Sequence, residues 1–478
     1  SSAASAMAFT DDEKYLFEFN IRHDGTSKFR RNNMWKTFPS FSLGWNIAHE
    51  NFWKPLENTV NTLKLRASYG SLGNQNIDNW YQTYSTVAYN SVAGAWLQGG
   101  KKTNITAAPG LVSAALGWEK VESYDVGLDW GAFNNRLTGS FDYYVRNTKD
   151  MVGPAPELPA LLGTAVPKTN NTDLRTTGWE LQIGWRDHLE NGLNYGVTFN
   201  VSDAQAKVTR YPNNPTGSLS SYIENRKVGE IWGYETIGIA KTNDEMNQHL
   251  ATLPNGGQSQ LGDKWAAGDI MYKDLDGDGK ISNGSNTLSD HGDLKVFGND
   301  TPRYLFGLDL TASWKGFDFR AFMQGVMKRD YNVNGSWGAR EYLFGATNSG
   351  VWWAAGITGV QDYFRDSETW SVKNGYESEN LNAYLPRPQY SEKNIHTQTR
   401  YLLNAAYLRM KNLQIGYTLP QSLVSKAGLG NVRFFVSAEN LFTITDLPSQ
   451  FDPETIDTAY GNGYPLSRTF SFGVNVTL

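Results

Sequence analysis

The chain has 478 residues with no cysteine, 47 glycines, 16 Trp, 25 Tyr and 23 Phe, and a formal net charge of −5. These figures exclude disulfide scaffolds, thiolate zinc sites and cysteine nucleophiles, leave nucleic acid no basic surface, and, at 40% hydrophobic and 19% charged residues, exclude the disordered class. No run of 18 apolar residues occurs, so a helical membrane span is excluded, whereas a membrane β-barrel, whose apolar residues alternate, is not.

Alternation of apolar and polar residues predicts the elements in chain order. A short strand of small residues lies in Ala3 to Phe9, and weaker alternating segments start at Tyr15, Phe41 and Leu63. A clean row follows at Tyr124, Val126, Leu128 and Trp130, then a weaker one from Leu137. Trp179, Leu181, Ile183 and Trp185 form the next, and Leu193, Tyr195, Val197, Phe199 and Val201 another. Tyr304 to Trp314 and Phe317 to Met323 continue the pattern, weaker copies start at Tyr407 and Val432, and Phe470, Phe472, Val474, Val476 and Leu478 close it. Successive side chains leave opposite faces of a strand, so each row is one face of a strand of roughly 10 residues, enough to cross a tilted bilayer. A soluble antiparallel sheet would alternate too. Here the polar face carries Asp, Glu, Arg, Lys and Gln with glycines, as a wide aqueous lumen requires, and Trp130, Trp179, Trp185, Trp314 and Tyr417 sit near strand ends, where an interfacial girdle would lie.

Connections alternate in length. Asn134-Asn135, Asp187 to Gly192 and Lys315-Gly316 are tight turns, whereas 72–119, 148–175, 208–302, 328–405 and 443–466 are long. One end with short turns and the other with large loops is the outer-membrane arrangement. The expected fold is therefore all-β, a transmembrane antiparallel β-barrel. Residues 1–478 are read as the C-terminal 12 or 13 strands of one larger barrel domain, because Ser1 to Ala8 has no signal-peptide character and an odd strand count does not close a barrel with both termini inside.

Several stretches resemble one family: Ile21-Arg-His-Asp-Gly-Thr-Ser-Lys-Phe29, Phe38-Pro-Ser-Phe-Ser-Leu-Gly-Trp45, Leu63-Lys-Leu-Arg-Ala-Ser-Tyr-Gly-Ser-Leu-Gly-Asn-Gln75, Asn134-Asn-Arg-Leu-Thr-Gly-Ser-Phe-Asp-Tyr-Tyr144, Leu408-Arg-Met-Lys-Asn-Leu413 and Asn440-Leu-Phe-Thr443. Together with Gly178-Trp-Glu-Leu181, Tyr272-Lys-Asp-Leu-Asp-Gly-Asp-Gly-Lys280 and Gly416-Tyr-Thr-Leu-Pro420, they look like the SusC/RagA family of TonB-linked outer-membrane transporters. The resemblance implies a barrel of about 22 strands plugged by an N-terminal domain and capped by a SusD-like lipoprotein. It also implies import of oligosaccharides or peptides energised by the TonB complex. The plug, the TonB-interacting segment and the first strands are missing from this sequence, and the end at Leu478 departs from the aromatic terminus common in such barrels.

Asp274-Leu-Asp-Gly-Asp-Gly-Lys-Ile281 matches the first two-thirds of a calcium loop: oxygen ligands at positions 1, 3 and 5, glycine at 6 and an apolar residue at 8. Position 12, normally a bidentate acid, is Ser285. The expected ligand set is Asp274, Asp276, Asp278, the Lys280 carbonyl and Asp290, with Asp293 the alternative to Asp290, holding structural calcium or, failing that, magnesium. The competing reading is an Asp/Gly turn without metal. Loop tryptophans suit stacking on sugars or docking of a lipoprotein, against ordinary loop packing; Trp352, Trp353, Trp96 and Trp370 are the expected substrate contacts, beside Trp80 and Trp265. Charges on the polar face, among them Arg66, Asp129, Asp142, Asp309, Arg320 and Arg433, are read mainly as wall ion pairs. No zinc-protease motif, nucleophile elbow or phosphate loop occurs, so no enzyme is expected. The expected function is import of oligosaccharides, with peptides second. A siderophore- or cobalamin-type receptor and a secreted all-β glycan-binding protein are the alternatives.

Overall fold

The computed structural model describes residues 2–11, 13–75, 77, 83–87, 89–90, 97–106, 109–154, 166–333, 362–389, 391–456, 464 and 466–477. Thirteen long strands carry the architecture: β1 (Ser2–Asp11), β2 (Tyr15–Gly25), β3 (Trp35–Asn46), β4 (Val60–Asn74), β5 (Glu119–Ala132), β6 (Leu137–Gly153), β7 (Thr169–His188), β8 (Asn194–Arg210), β9 (Arg303–Trp314), β10 (Phe317–Lys328), β11 (Tyr407–Thr418), β12 (Asn431–Glu439) and β13 (Thr469–Thr477). The chain packs as two compact units, 1–183 with 204–215 and 222–227, and 184–203 with 216–221 and 228–478. β7 and β8 each contribute residues to both.

In the first unit the strands pair in the order β1-β2-β3-β4-β5-β6-β7, each neighbour following its predecessor in sequence. Alternation puts one apolar row on one face: Phe19 opposes Phe41, Phe41 opposes Tyr69, Tyr69 opposes Tyr124 and Tyr124 opposes Val145. This face is uncovered, with Phe41 43%, Tyr124 49% and Val126 54% exposed. A soluble sheet would bury it against a second layer; a lipid-facing wall leaves it open. The opposite face holds Arg66, which bonds Asp129 through Nε and Nη2 (2.8 and 2.9 Å) and Asp142 (2.8 Å).

The second unit continues with β8-β9-β10-β11-β12-β13, and a short strand Thr443–Thr445 pairs with β11 beside β12. Its open face carries Phe319, Ile415, Val436 and Phe472 in register, from 36% to 71% exposed. Its polar face carries the pairs Arg320–Asp309 (2.8 Å) and Arg433–Asp318. Lys315 and Gly316 make a two-residue hairpin with φ of 48° and 87°, the twist that tight antiparallel turns require.

The dry interior lies in the loops. Tyr331, Leu385, Ile395, Tyr401, Leu447 and Phe451 form one buried cluster of the second unit, and Tyr234, Ile270, Tyr272 and Ile281 another; in the first unit Phe29, Phe38, Leu116 and Trp118 form a smaller one. Several strands outrun the expected ten residues. β6 and β7 absorb much of the expected connection 148–175 and leave 154–168 between them. The physical reason is visible on β5 and β6, where the hydrogen-bonded register continues to Lys149 opposite Lys120 although the apolar row has already changed to charged residues. The ladder outlasts the alternation that announced it.

Candidate functional site in the long loops

The largest described loop, 211–302, is a folded body. Two antiparallel pairs, Glu230–Tyr234 with Leu294–Asn299 and Thr236–Ile239 with Ile270–Tyr272, frame it. A helix, Asn243–Ala251, is capped by Thr242, whose hydroxyl accepts the Glu245 amide at 3.1 Å. Tyr272 is fully buried; its hydroxyl donates to the Lys393 backbone carbonyl at 2.7 Å, and its backbone amide donates to the Gln258 side-chain Oε1 at 2.7 Å. Burial pushes the Tyr272 phenol well above its ordinary range, so it stays a neutral donor.

In the acidic loop, Asp274 accepts the amides of Gly277 (2.6 Å) and Gly279 (3.0 Å), and Asp276 accepts that of Asp278 (3.0 Å). Gly277 and Gly279 both have φ +78°, a conformation side chains rarely adopt. Carboxylate oxygens of Asp274, Asp276 and Asp293 lie within 4.8 Å of one another. Asp293 is fully buried and accepts the amides of Leu275 and Ser282, both at 2.7 Å. Burial pushes its carboxyl up, the two amides oppose this, and the charges of Asp276 and Asp274 add to the rise. The expected ligands divide accordingly. Asp274 and Asp276 converge, and the third acid beside them is Asp293 rather than Asp290. Asp290 turns to Ser285, accepting its amide (3.0 Å) and hydroxyl (2.5 Å), bonds that hold its carboxyl below the usual range. Asp278 pairs with the Lys280 ammonium at 3.2 Å, and the Lys280 backbone bridges to Gly257. Three hard oxygen donors within 4.8 Å of one another suit a divalent cation.

Trp370, on the one-turn helix Trp370–Lys373, is 69% exposed and stacks on Tyr376, itself 73% exposed, with centroids 5.4 Å apart and planes 19° apart. Trp265 instead packs edge-on against Tyr272, donates to the Gly262 carbonyl (3.0 Å) and lies under the Lys393 ammonium, which is the loop-packing reading. Trp80, Trp96, Trp352 and Trp353 lie outside the described residues.

Sequence reading missed the fasteners of these loops. Asp269, fully buried, receives Arg387 (3.0 Å from both Nε and Nη2), Lys393 (2.8 Å), Asn394 (2.9 Å), Gln389 (3.0 Å) and the Ala266 amide (2.8 Å). Arg409, 4% exposed, bonds Asp452 (2.9 Å), Glu454 (2.9 Å) and the Thr443 hydroxyl (2.7 Å). The side-chain partners of Asp269 are separated from it by more than a hundred residues, and no local spacing pairs them.

A family model described as "TonB dependent receptor-like, beta-barrel" matches residues 3–315. TonB-dependent receptor P3 of Formosa agariphila is 32% identical over 97% of this chain and 44% of that protein. TonB-dependent receptor SusC of Bacteroides thetaiotaomicron is 26% identical over 97% of this chain and 42% of its own length. Among solved structures, the RagAB peptide transporter superposes with a TM-score of 0.73 at 23% identity, over all of this chain and 47% of the other. The chain thus spans less than half the length of each of these three relatives.

Proposed function

The chain belongs to the TonB-dependent receptor β-barrel family, and from that premise we propose that the protein imports oligosaccharides, its long loops forming the outer mouth and a SusD-like lipoprotein closing it. It is an outer-membrane β-barrel of the SusC/RagA type of TonB-dependent transporter, with no membrane-spanning helix among the described residues. The relatives are receptors, not enzymes. In this reading the energy for import comes from the TonB complex.

The observation that carries the saccharide reading is the exposed Trp370–Tyr376 stack, apolar ring surface open to solvent in the same segment as the Lys373–Glu368 ion pair. Pyranose C–H faces stack on such rings while charged and amide groups bind hydroxyls. The second reading, peptide import, is favoured by the likeness to RagAB, which is a likeness of fold. A strain lacking the full-length gene, grown on a panel of polysaccharides and of peptides as carbon sources, decides between them. Loss of growth on one polysaccharide with co-purification of a lipoprotein is the expected result; loss confined to peptides overturns the saccharide reading, and binding of an iron chelate by a receptor running alone would favour the lidless alternative.

We also propose calcium, or in its stead magnesium, at Asp274, Asp276 and Asp293 as a brace for loop 211–302; what supports it is the convergence of these three acids. Bound, the ion would neutralise carboxylates that now repel one another and so stiffen the loop. Extracellular calcium sites work at about 0.1–1 mM, so millimolar Ca²⁺ should slow proteolysis of this loop in the full-length receptor, and chelation should reverse the effect. Asp276→Asn should abolish the calcium dependence; protection that ignores calcium would remove the ion from the account.

A further inference from the structure

On the open face of the first unit the apolar row has a sharp upper end. From Phe133, 48% exposed at the β5–β6 turn, β5 presents Trp130, Leu128, Val126 and Tyr124 on that face. Nine residue steps of about 3.3 Å, tilted by about 40°, rise roughly 23 Å, close to the apolar band of about 25 Å of a membrane barrel. Tyr124 belongs to a row of packed, mutually tilted rings with Phe41 and Tyr69 (centroids 5.3 and 5.1 Å), placed as an interfacial girdle would be. The next two positions of the same face are Glu122 and Lys120, opposite Asn147 and Lys149. They therefore sit at the depth of lipid headgroups.

Lys120 and Lys149 face each other directly, an arrangement that repels in an antiparallel pair. It is held by Glu122, whose two carboxylate oxygens take the two ammonium groups at 2.5 and 2.7 Å while its side chain stays 10% exposed. Both ammoniums keep further N–H donors, and the lysine side chains remain 28% and 47% exposed. Beside them Arg175, exposed, donates Nε to Asn147 at 2.9 Å. Asp173, the nearest further acid on β7, is taken by Arg210 (2.8 Å). Two lysines thus share one covered carboxylate at headgroup depth, and Arg175 is joined to the facing strand through Asn147, the residue opposite Glu122.

We propose that Lys120, Lys149 and Arg175 hold the phosphate of an outer-leaflet lipid. A phosphorylated headgroup supplies several acceptor oxygens in the plane where these donors end, with the tyrosine girdle below to receive its acyl chains. Each such cation strengthens binding to anionic lipid by roughly 5-fold.

The test uses the full-length receptor in phosphatidylcholine bicelles doped with bis-phosphorylated lipid A. Lys120→Gln/Lys149→Gln should weaken lipid A binding by about 10- to 30-fold, while Glu122→Gln, which keeps both lysines and removes the neutralising charge, should strengthen it. Heat-modifiable gel migration reports that each variant is folded; should the double variant fail to fold, Lys149→Met with Arg175→Gln replaces it and should show a loss of the same order. Unchanged binding in the folded lysine variants, or weaker binding in Glu122→Gln, would overturn the proposal. So would inorganic phosphate binding as tightly as the lipid and displacing it, since the site would then serve a soluble anion.

Discussion

Asp269→Asn is expected to release the segment 387–394 from loop 211–302, with a local loss of about 3–5 kcal/mol. The substitution keeps the shape but turns one oxygen into a donor facing other donors. Lys393, whose side chain is 2% exposed, then keeps its charge with only the carbonyls of Asp263 (2.9 Å) and Lys264 (3.0 Å) and the Trp265 ring around it. A lone buried charge is far costlier than a missing pair, which is why removing one partner exceeds the net worth of the bridge. Hydrogen exchange of the full-length receptor should show faster exchange in 262–272 and 385–398, with the β9–β10 hairpin unchanged; equal exchange in wild type and variant would refute the fastener. The same group sets an acid limb. Burial pushes the Asp269 carboxyl up, but the bonds from Arg387, Lys393 and Asn394 outweigh it, and its pKa lies below the ordinary value. A carboxyl depressed on folding stabilises fully above its unfolded pKa of about 3.9 and loses that contribution as pH falls through the folded value. Protection of these segments should therefore persist from neutral pH to about 4 and fade below it, and in Asp269→Asn this component of the acid dependence should be gone.

Arg409→Ala is expected to free the stretch 443–456 from β11, with a cost of about 3 kcal/mol or more. The guanidinium serves three partners in different directions, and Asp452 and Glu454 have side chains only 7% and 17% exposed. Lys411 still reaches Glu454 at 3.0 Å, so Asp452 bears most of the loss, and the packing of Leu447 and Phe451 against Tyr331 loosens with it. Arg409→Lys should rescue little, since one ammonium cannot reproduce a planar fork aimed at three acceptors. Limited proteolysis within 443–456 reads the effect, and a lysine variant as resistant as wild type would show that charge alone suffices.

Much of the wall was legible in the sequence because a strand's side-chain period is local. The rows through Tyr124, Trp179, Phe306 and Phe472 announce their strands without knowledge of any partner, and the alternation of short and long connections gives the two ends. The same rule failed where lipid contact stops. At Glu122, Asn147 and Arg175 the outward face turns polar on both counts, so the pattern fades although the ladder continues. In the acidic loop, spacing supplied Asp274 and Asp276, since those positions are set by a turn of a few residues. The third acid could not be chosen this way, because Asp290 and Asp293 are equally near in sequence and the choice rests on the hydroxyl and amide of Ser285 and the amides of Leu275 and Ser282.

By itself the sequence determined that this protein is a lipid-facing antiparallel wall with a polar inner face, since each residue's side is decided by its own neighbours two positions away. Only the tertiary structure decided how the loops are fastened. Asp269 meets Lys393 and Arg387, and Arg409 meets Asp452 and Glu454, across distances in sequence over which no periodicity acts. Such pairings are fixed by the need to satisfy buried charge wherever the folded chain brings it, and that is a property of the assembled body rather than of any segment.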